Sequence, residues 1–355
     1  MDKKVFNFFK KFADSPSPSG YEQPAQRQWR EYVRPFVDRI DSDVMGNTWG
    51  VLEGKEKPRV MLAGHADEVG LMVKYIDDDG FLFFSAIGGV DLHLMPGKRV
   101  NVHGAKGQTK GIIGRKPIHL LEAEERTKVA RQKDLAIDIG ASNRAEAEKH
   151  VAVGDAVTFA DELELLLGNN VMGRGFDDKV GSLIVAETLR RVAKKKDSLA
   201  CSVYGVSTVQ EELGLRGATT SSFGIDPDVG ICVEVTFATD HPGSDKKSTG
   251  DIRLGKGPVI TRGANINHRL FDLIRETAKK NKIPVQIDAS ARATGTDANV
   301  MQLNRAGVAT ALISIPLRYM HTSAEVLSLV DVENAAELVT ATLLAIDPTI
   351  SWKPE

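Results

Sequence analysis

From residue 166 onward, apolar strand-like runs alternate with longer amphipathic segments, and this alternation constrains the fold more than any other feature. The runs CSVYGVSTVQ, DVGICVEV and VATALISI are predicted strands, and DDKVGSLIVAETLRRVAKK, HRLFDLIRETAKK and DVENAAELVTATLLAI are predicted helices. In the first helix, apolar residues recur at the spacing of a buried face: Val180, Leu183, Ile184, Leu189 and Val192. The pattern predicts an α/β core whose central sheet is mixed, largely parallel and flanked by helices.

The stretch from about residue 70 to 165 has a different pattern. Short alternating runs such as KRVNVHG, KGIIGRK, DLAIDIG and DAVTFAD lie between glycines, which predicts a small β-rich domain. The earlier run VMLAGH resembles the buried strands of the later part. We therefore predict that residues 1–68 and 166–355 form one α/β domain, into which a β-rich domain of residues 69–165 is inserted.

Composition excludes several classes of protein. The formal net charge is -2, so nothing points to nucleic acid or to an anionic membrane as a partner. No apolar run approaches the ~20 residues that a membrane helix needs. The N-terminal segment predicts two helices with a break at 15–20 and lacks the pattern of a signal peptide, which favours a cytoplasmic location. The two cysteines, Cys201 and Cys232, lie in apolar runs and are predicted to be buried free thiols.

Ionisable side chains follow or end the predicted strands. They are His65 and Asp67 after VMLAG, Glu211 and Glu212 after CSVYGVSTVQ, Glu234 after GICV, His321 after TALISIPLRYM, and Asp177 and Asp178 before a helix. Ligands bind beyond the carboxyl ends of the strands in open α/β sheets. Histidines and carboxylates gathered at that edge predict a metal site, in which a bridging carboxylate could hold two divalent ions about 3.5–4 Å apart.

Local spacing suggests roles within this group. In an extended segment His65 and Asp67 point to the same side, so Asp67 could orient a metal-bound imidazole. Glu211 and Glu212 are adjacent, and adjacent residues of a strand face opposite sides. One of them is therefore predicted to bind metal and the other to act as a general base, with the spacing leaving open which does which.

Each feature alone has a simpler interpretation. Asp177 or Asp178 is typical of a helix N-cap, a Glu-Glu pair is typical of a solvated surface, and a lone histidine can be structural. His241 is a competing ligand candidate, although its Pro-Gly neighbourhood favours a turn. The chain has no H-E-x-x-H, C-x-x-C or G-x-S-x-G motif, so a single-helix zinc site or a serine nucleophile is disfavoured.

The segments AGHADEVG, GRGFDDKVG, VQEELGLRGA, VEVTFATDHPG, GTDAN and MHTSAEV, in this order, resemble the M42 family of metallo-aminopeptidases. That family includes glutamyl, deblocking and TET aminopeptidases, and some members bear an old endoglucanase label. The resemblance covers nearly the whole chain. It implies that the β-rich insertion is a PDZ-like dimerisation domain, and that dimers can assemble into tetrahedral dodecamers.

The resemblance also implies residue roles. Five residues match metal ligands of the family: His65, Asp177, Glu212, Glu234 and His321. Asp177 matches the bridging carboxylate, Glu211 the general base, and Asp67 the residue that orients His65. Many relatives have aspartate at the position of Glu234. The expected cofactors are two divalent ions, Zn²⁺ or Co²⁺, in each subunit.

The predicted reaction is hydrolysis of the N-terminal residue of a peptide with a free amino terminus. Arg262, in VITRGANIN, and Asp297, in GTDAN, are candidates for the substrate pocket, and Arg262 would favour an acidic residue. Three alternatives remain: a related dinuclear hydrolase of N-acyl or other small amides, a non-catalytic assembly protein, and a glycosidase. The last would need an acid and a nucleophile placed across a sugar site.

Overall fold

The structure is a computed structural model that describes residues 1–54 and 57–354. In chain order, helices α1 to α9 span Lys3–Asp14, Gln23–Val33, Arg144–Ala147, Phe176–Ala193, Arg216–Ile225, Lys246–Thr249, His268–Asn281, Ala298–Met301 and Leu329–Ala345. In the same way, strands β1 to β17 span Arg39–Ser42, Thr48–Leu52, Arg59–His65, Gly70–Ile76, Leu82–Ile87, Arg99–Gly104, Gly107–Arg115, Leu135–Asp138, Ala156–Phe159, Glu164–Leu165, Asn170–Gly173, Ser202–Thr208, Val229–Phe237, Val259–Gly263, Gln286–Ser290, Ala309–Leu317 and Glu325–Ser328.

The predicted α/β core is confirmed as an eight-stranded mixed sheet in the order β1-β2-β12-β3-β13-β16-β14-β15. Its centre, β12-β3-β13-β16, is parallel. Strands β2 and β14 pair antiparallel with the outer members of this group. The carboxyl ends of the four central strands therefore meet along one edge.

Helices cover both faces of this sheet. Helix α4 packs on β3, β12 and β13, and α1, α2 and α9 pack over α4. Helices α5 and α8 pack on the opposite face. The predicted apolar face of α4 is confirmed, with Val180, Leu183 and Leu189 fully buried. Most of the remaining helix is buried as well, because it lies between the sheet and other helices.

Strands β4 to β9 form a closed barrel in the order β4-β5-β8-β7-β6-β9, with an apolar core of its own. Strand β10 does not join this barrel and pairs with β11, which in turn pairs with β17. The predicted boundary after residue 165 therefore falls inside a small sheet that includes β17. The division of the chain into two domains stays a prediction.

Both cysteines are buried free thiols, as predicted. Burial raises the pKa of Cys201 to about 12. Among the described residues, no helix has the length and apolar character needed to cross a membrane.

Candidate active site

The carboxyl edge of the central sheet gathers the predicted ionisable residues. His65 ends β3, Glu234 lies in β13, and Asp177 lies at the start of α4. Strand β3 and helix α4 approach very closely, since a Cβ atom on Gly64 would lie 2.5 Å from the carbonyl carbon of Gly181. This contact brings His65 beside Asp177.

Asp177 lies between the two histidines. Its Oδ1 atom is 3.1 Å from His65 Nε2, and its Oδ2 atom is 3.3 Å from His321 Nε2. Each histidine also faces a second carboxylate. Glu234 Oε1 is 3.5 Å from His65 Nε2, and Glu212 Oε1 is 3.3 Å from His321 Nε2. The result is two groups of three side chains that share Asp177.

Asp178 is also close to His65 and Glu234, but its carboxylate accepts hydrogen bonds from backbone N–H groups. Its Oδ1 atom accepts a hydrogen bond from Gly181 N at 3.0 Å, and its Oδ2 atom accepts one from His65 N at 3.2 Å. The N-cap interpretation considered for the Asp-Asp pair therefore fits Asp178. Asp177 keeps both carboxylate oxygens directed at the histidines.

Backbone carbonyls orient both imidazole rings. His65 Nδ1 lies 3.0 Å from the carbonyl oxygen of Asp67, and His321 Nδ1 lies 2.9 Å from that of Gly89. Donation of Nδ1–H to these carbonyls leaves Nε2 as the ring nitrogen that faces the carboxylates, and release of its proton would free a lone pair for a metal ion. The carboxylate of Asp67 lies farther from His65 Nδ1, at 3.4 Å. The atom of Asp67 that orients His65 is therefore its backbone carbonyl oxygen.

The expectation that Glu211 and Glu212 continue a strand was wrong. Strand β12 ends at residue 208, and Gln210 adopts a left-handed conformation with φ of 53° that turns the chain. Buried carboxylates then hold three successive backbone N–H groups. Gln210 N donates to Glu22 Oε1 at 3.1 Å, and Glu211 N and Glu212 N donate to Asp67 Oδ1 and Oδ2 at 3.0 and 3.2 Å.

This turn gives the two glutamates different partners. Glu212 contacts His321, whereas Glu211 Oε2 lies 3.8 Å from His65 Nε2, farther than Asp177 or Glu234. The sequence analysis did not predict that the carboxylates of Glu22 and Asp67 accept hydrogen bonds from the backbone of this turn. Both depend on contacts between segments that are far apart in sequence.

Negative charge exceeds positive charge in the cluster. Burial and neighbouring carboxylates, including that of Glu234, raise the pKa of Glu211 to about 10, and burial raises the pKa of Glu234 to about 7. Hydrogen bonds to Asp177 and Glu212 raise the pKa of His321 to about 11. Burial alone would raise the pKa of Asp177, but hydrogen bonds from the two histidines lower it below its usual range.

The buried Oε2 atom of Glu234 has no hydrogen-bond partner among the described residues. A buried carboxylate oxygen without a partner, in a group of nitrogen and oxygen donors where negative charge exceeds positive charge, fits divalent metal ions. In two sets of three side chains, the ligand atoms lie within 4.8 Å of one another and could hold such an ion: those of His65, Asp177 and Glu212, and those of His65, Asp178 and Glu234.

The cluster opens into a cavity of about 550 Å³. Its other walls are apolar or hydroxyl-bearing, with Leu215, Phe237, Met320, Thr294 and Thr296 among them. All residues that line this cavity lie in the described part of the chain, and none of them is lysine or arginine.

Neither candidate for the substrate pocket lines this cavity. Arg262 is exposed on β14, with its guanidinium carbon 5.9 Å from the ring centre of Phe271. Asp297 is buried and accepts a hydrogen bond from Thr208 Oγ1 at 2.6 Å. The competing candidate His241 lies outside the cluster, with its ring 5.8 Å from that of Tyr319.

Known proteins are similar to this chain in sequence and in architecture. The model of the M42 glutamyl aminopeptidase family matches residues 46–338. The chain is 39% identical to the lysyl aminopeptidase of Pyrococcus furiosus over 346 residues, which are 97% of this chain and 98% of that protein.

Solved structures of aminopeptidases have a similar fold. The TET aminopeptidase of a marine sediment Thaumarchaeota archaeon has a TM-score of 0.91 and 36% identity over 95% of both chains. The TET1 peptidase of Pyrococcus horikoshii has a TM-score of 0.84 and 33% identity over 95% of this chain and 98% of that one. The chain therefore belongs to the M42 family of metal-dependent aminopeptidases and is a peptide hydrolase.

Proposed function

We propose that the protein removes the N-terminal residue from peptides with a free amino terminus, using two divalent ions and Glu211 as general base. The observation that supports this most is the pair of donor groups sharing Asp177, whose two oxygens face different histidines. His65, Asp177 and Glu234 would hold one ion, and His321, Asp177 and Glu212 the other. Zn²⁺ and Co²⁺ are the ions expected from the family.

Bound ions would supply Lewis acidity and lower the pKa of a water molecule in the cavity. The positive charge of the bound ions would keep the Glu211 carboxyl ionised. Its Oε2 atom would then accept a proton from the attacking water and deliver it to the leaving amine nitrogen. Asp67 fixes the backbone of Glu211 and so holds this carboxylate in place. Carboxylates at the cavity wall can accept hydrogen bonds from the free α-amine, which favours cleavage at the first peptide bond.

The experiment is a comparison of aminoacyl-p-nitroanilides with their N-acetyl derivatives, using metal-loaded protein. We expect cleavage of the free-amine substrates and at least tenfold lower kcat/KM for the acetylated ones. Preferential cleavage of the acetylated substrates would contradict the proposal and support the alternative, a hydrolase of N-acyl amides.

We propose further that the barrel is the inserted, PDZ-like dimerisation domain and that the protein is a homo-oligomer. The barrel region exposes large apolar side chains, with Ile118 61% and Leu120 64% exposed. Exposed apolar residues that form a contiguous patch are typical of surfaces that meet a partner. The related Pyrococcus horikoshii TET1 peptidase can assemble into a tetrahedron or a large octahedral shell. The size of the assembly and a cytoplasmic location stay predictions.

A further inference from the structure

One buried carboxylate outside the two donor groups contacts the backbone of two neighbouring ligands, His321 and Asp177. Glu325 is 2% exposed. Its Oε1 atom accepts a hydrogen bond from His321 N at 3.0 Å, and its Oε2 atom accepts bonds from Asp177 N at 3.2 Å and Phe176 N at 2.7 Å. Three N–H groups therefore converge on one side chain.

Regular secondary structure does not hold these two ligands. His321 has a left-handed φ of 60°, which costs energy in a residue with a Cβ atom. Asp177 has non-helical torsion angles, with φ of -75° and ψ of 106°. Glu325 reaches both because it begins β17, where it pairs with Gly173 of β11, three residues before Phe176.

The other donor group is fixed differently. His65 and Glu234 belong to β3 and β13 of the central sheet, whose ladder hydrogen bonds set their backbone. Asp178 also accepts a hydrogen bond from His65 N. Loss of Glu325 would leave these contacts in place and would loosen the segments that carry His321 and Asp177.

We propose that Glu325 is a positioning residue that sets the affinity of the ion held by His321, Asp177 and Glu212, with little influence on His65 and Glu234. The inference rests on the proposed dinuclear site. Loss of a residue that orients metal ligands typically costs 10–100-fold in metal affinity.

The test is Glu325→Gln. Glutamine has one carbonyl oxygen, which can replace Oε2 opposite Phe176 N and Asp177 N. Its NH₂ group then faces the N–H of His321, so one hydrogen bond is lost and two donors oppose each other. Calorimetric titration of Zn²⁺ into metal-stripped protein should show two sites in the wild type. In the variant, one site should weaken about 10–100-fold while the other stays within about threefold.

A matched control is available in Asp331→Asn. Asp331 is also buried and accepts hydrogen bonds from backbone N–H groups, with Gly257 N at 2.7 Å and Gly255 N at 2.6 Å. None of these three residues lines the cavity. We expect this control to lose thermal stability and to keep both metal affinities, which separates positioning from general loss of stability.

Circular dichroism establishes whether each variant folds. If Glu325→Gln does not fold, Glu325→Asp replaces it, since aspartate keeps two acceptor oxygens but is one methylene too short. The site that includes His321 should then weaken more than the site that includes His65, because the second site depends on Glu325 only through Asp177. Unchanged affinities, or equal weakening of both sites, would overturn the inference while leaving the proposed function intact. A wild-type protein that binds one ion would overturn both.

Discussion

Replacing Glu211 by glutamine is expected to lower kcat by about 10²–10⁴-fold, the usual contribution of a general base. At 1.36 kcal/mol per factor of ten, this corresponds to about 2.7–5.4 kcal/mol of transition-state stabilisation. Glutamine has nearly the same shape as glutamate. The hydrogen bond from the backbone N–H of residue 211 to Asp67 Oδ1 does not involve the altered side chain and should persist. Because Glu211 belongs to neither donor group, both ions should remain bound.

The assay measures kcat, KM and bound metal for the wild type, Glu211→Gln and the matched control Glu212→Gln. The control makes the same chemical change one residue later, where Oε1 lies 3.3 Å from His321 Nε2. It should lose metal affinity, whereas Glu211→Gln should lose turnover and keep its ions. A Glu211→Gln protein with kcat within about threefold of the wild type, or with one ion missing, would refute the assigned roles.

Three further predictions concern stability, reactivity and specificity. Lys179→Met should lower the free energy of unfolding, measured in urea, by about 3–5 kcal/mol. The reason is that the fully buried Lys179 Nζ donates hydrogen bonds to Glu68 Oε1, Ala13 O and Ser15 O. A loss below about 1 kcal/mol would contradict this prediction. Cys201 and Cys232 should react with Ellman's reagent only after unfolding, since both thiols are buried, and rapid labelling of the native protein would disprove their burial. Leucyl-p-nitroanilide should be cleaved with at least about tenfold higher kcat/KM than glutamyl-p-nitroanilide, because the cavity wall has carboxylates and no lysine or arginine; equal rates would contradict this specificity.

The sequence predicted the parts of the fold that depend on local pattern. Helix α4 and strands β12, β13 and β16 were identified because apolar residues recur at the right period and in long runs. The gathering of His65, Asp177 and Glu234 followed from the general geometry of α/β sheets, which brings strand ends together.

The parts that depend on distant contacts could not be predicted. Gln210 turns the chain in a left-handed conformation without the glycine that usually marks one, so the positions of Glu211 and Glu212 were misjudged. Glu325 acts on the backbone of ligands through the pairing of β17 with β11, and no short motif encodes that pairing. Arg262 lies on a strand near the sheet edge, where its neighbour is Phe271 and not the cavity.

The most direct test of the dinuclear aminopeptidase is to measure bound metal and activity together. Chelator-stripped protein would be titrated with Co²⁺ or Zn²⁺, with bound ions counted by mass spectrometry and hydrolysis followed with leucyl-p-nitroanilide. We expect no activity in the stripped protein, two ions per chain at saturation, and turnover that rises as they bind. Full activity in metal-free protein, or saturation at one ion per chain, would contradict a dinuclear metal-dependent mechanism.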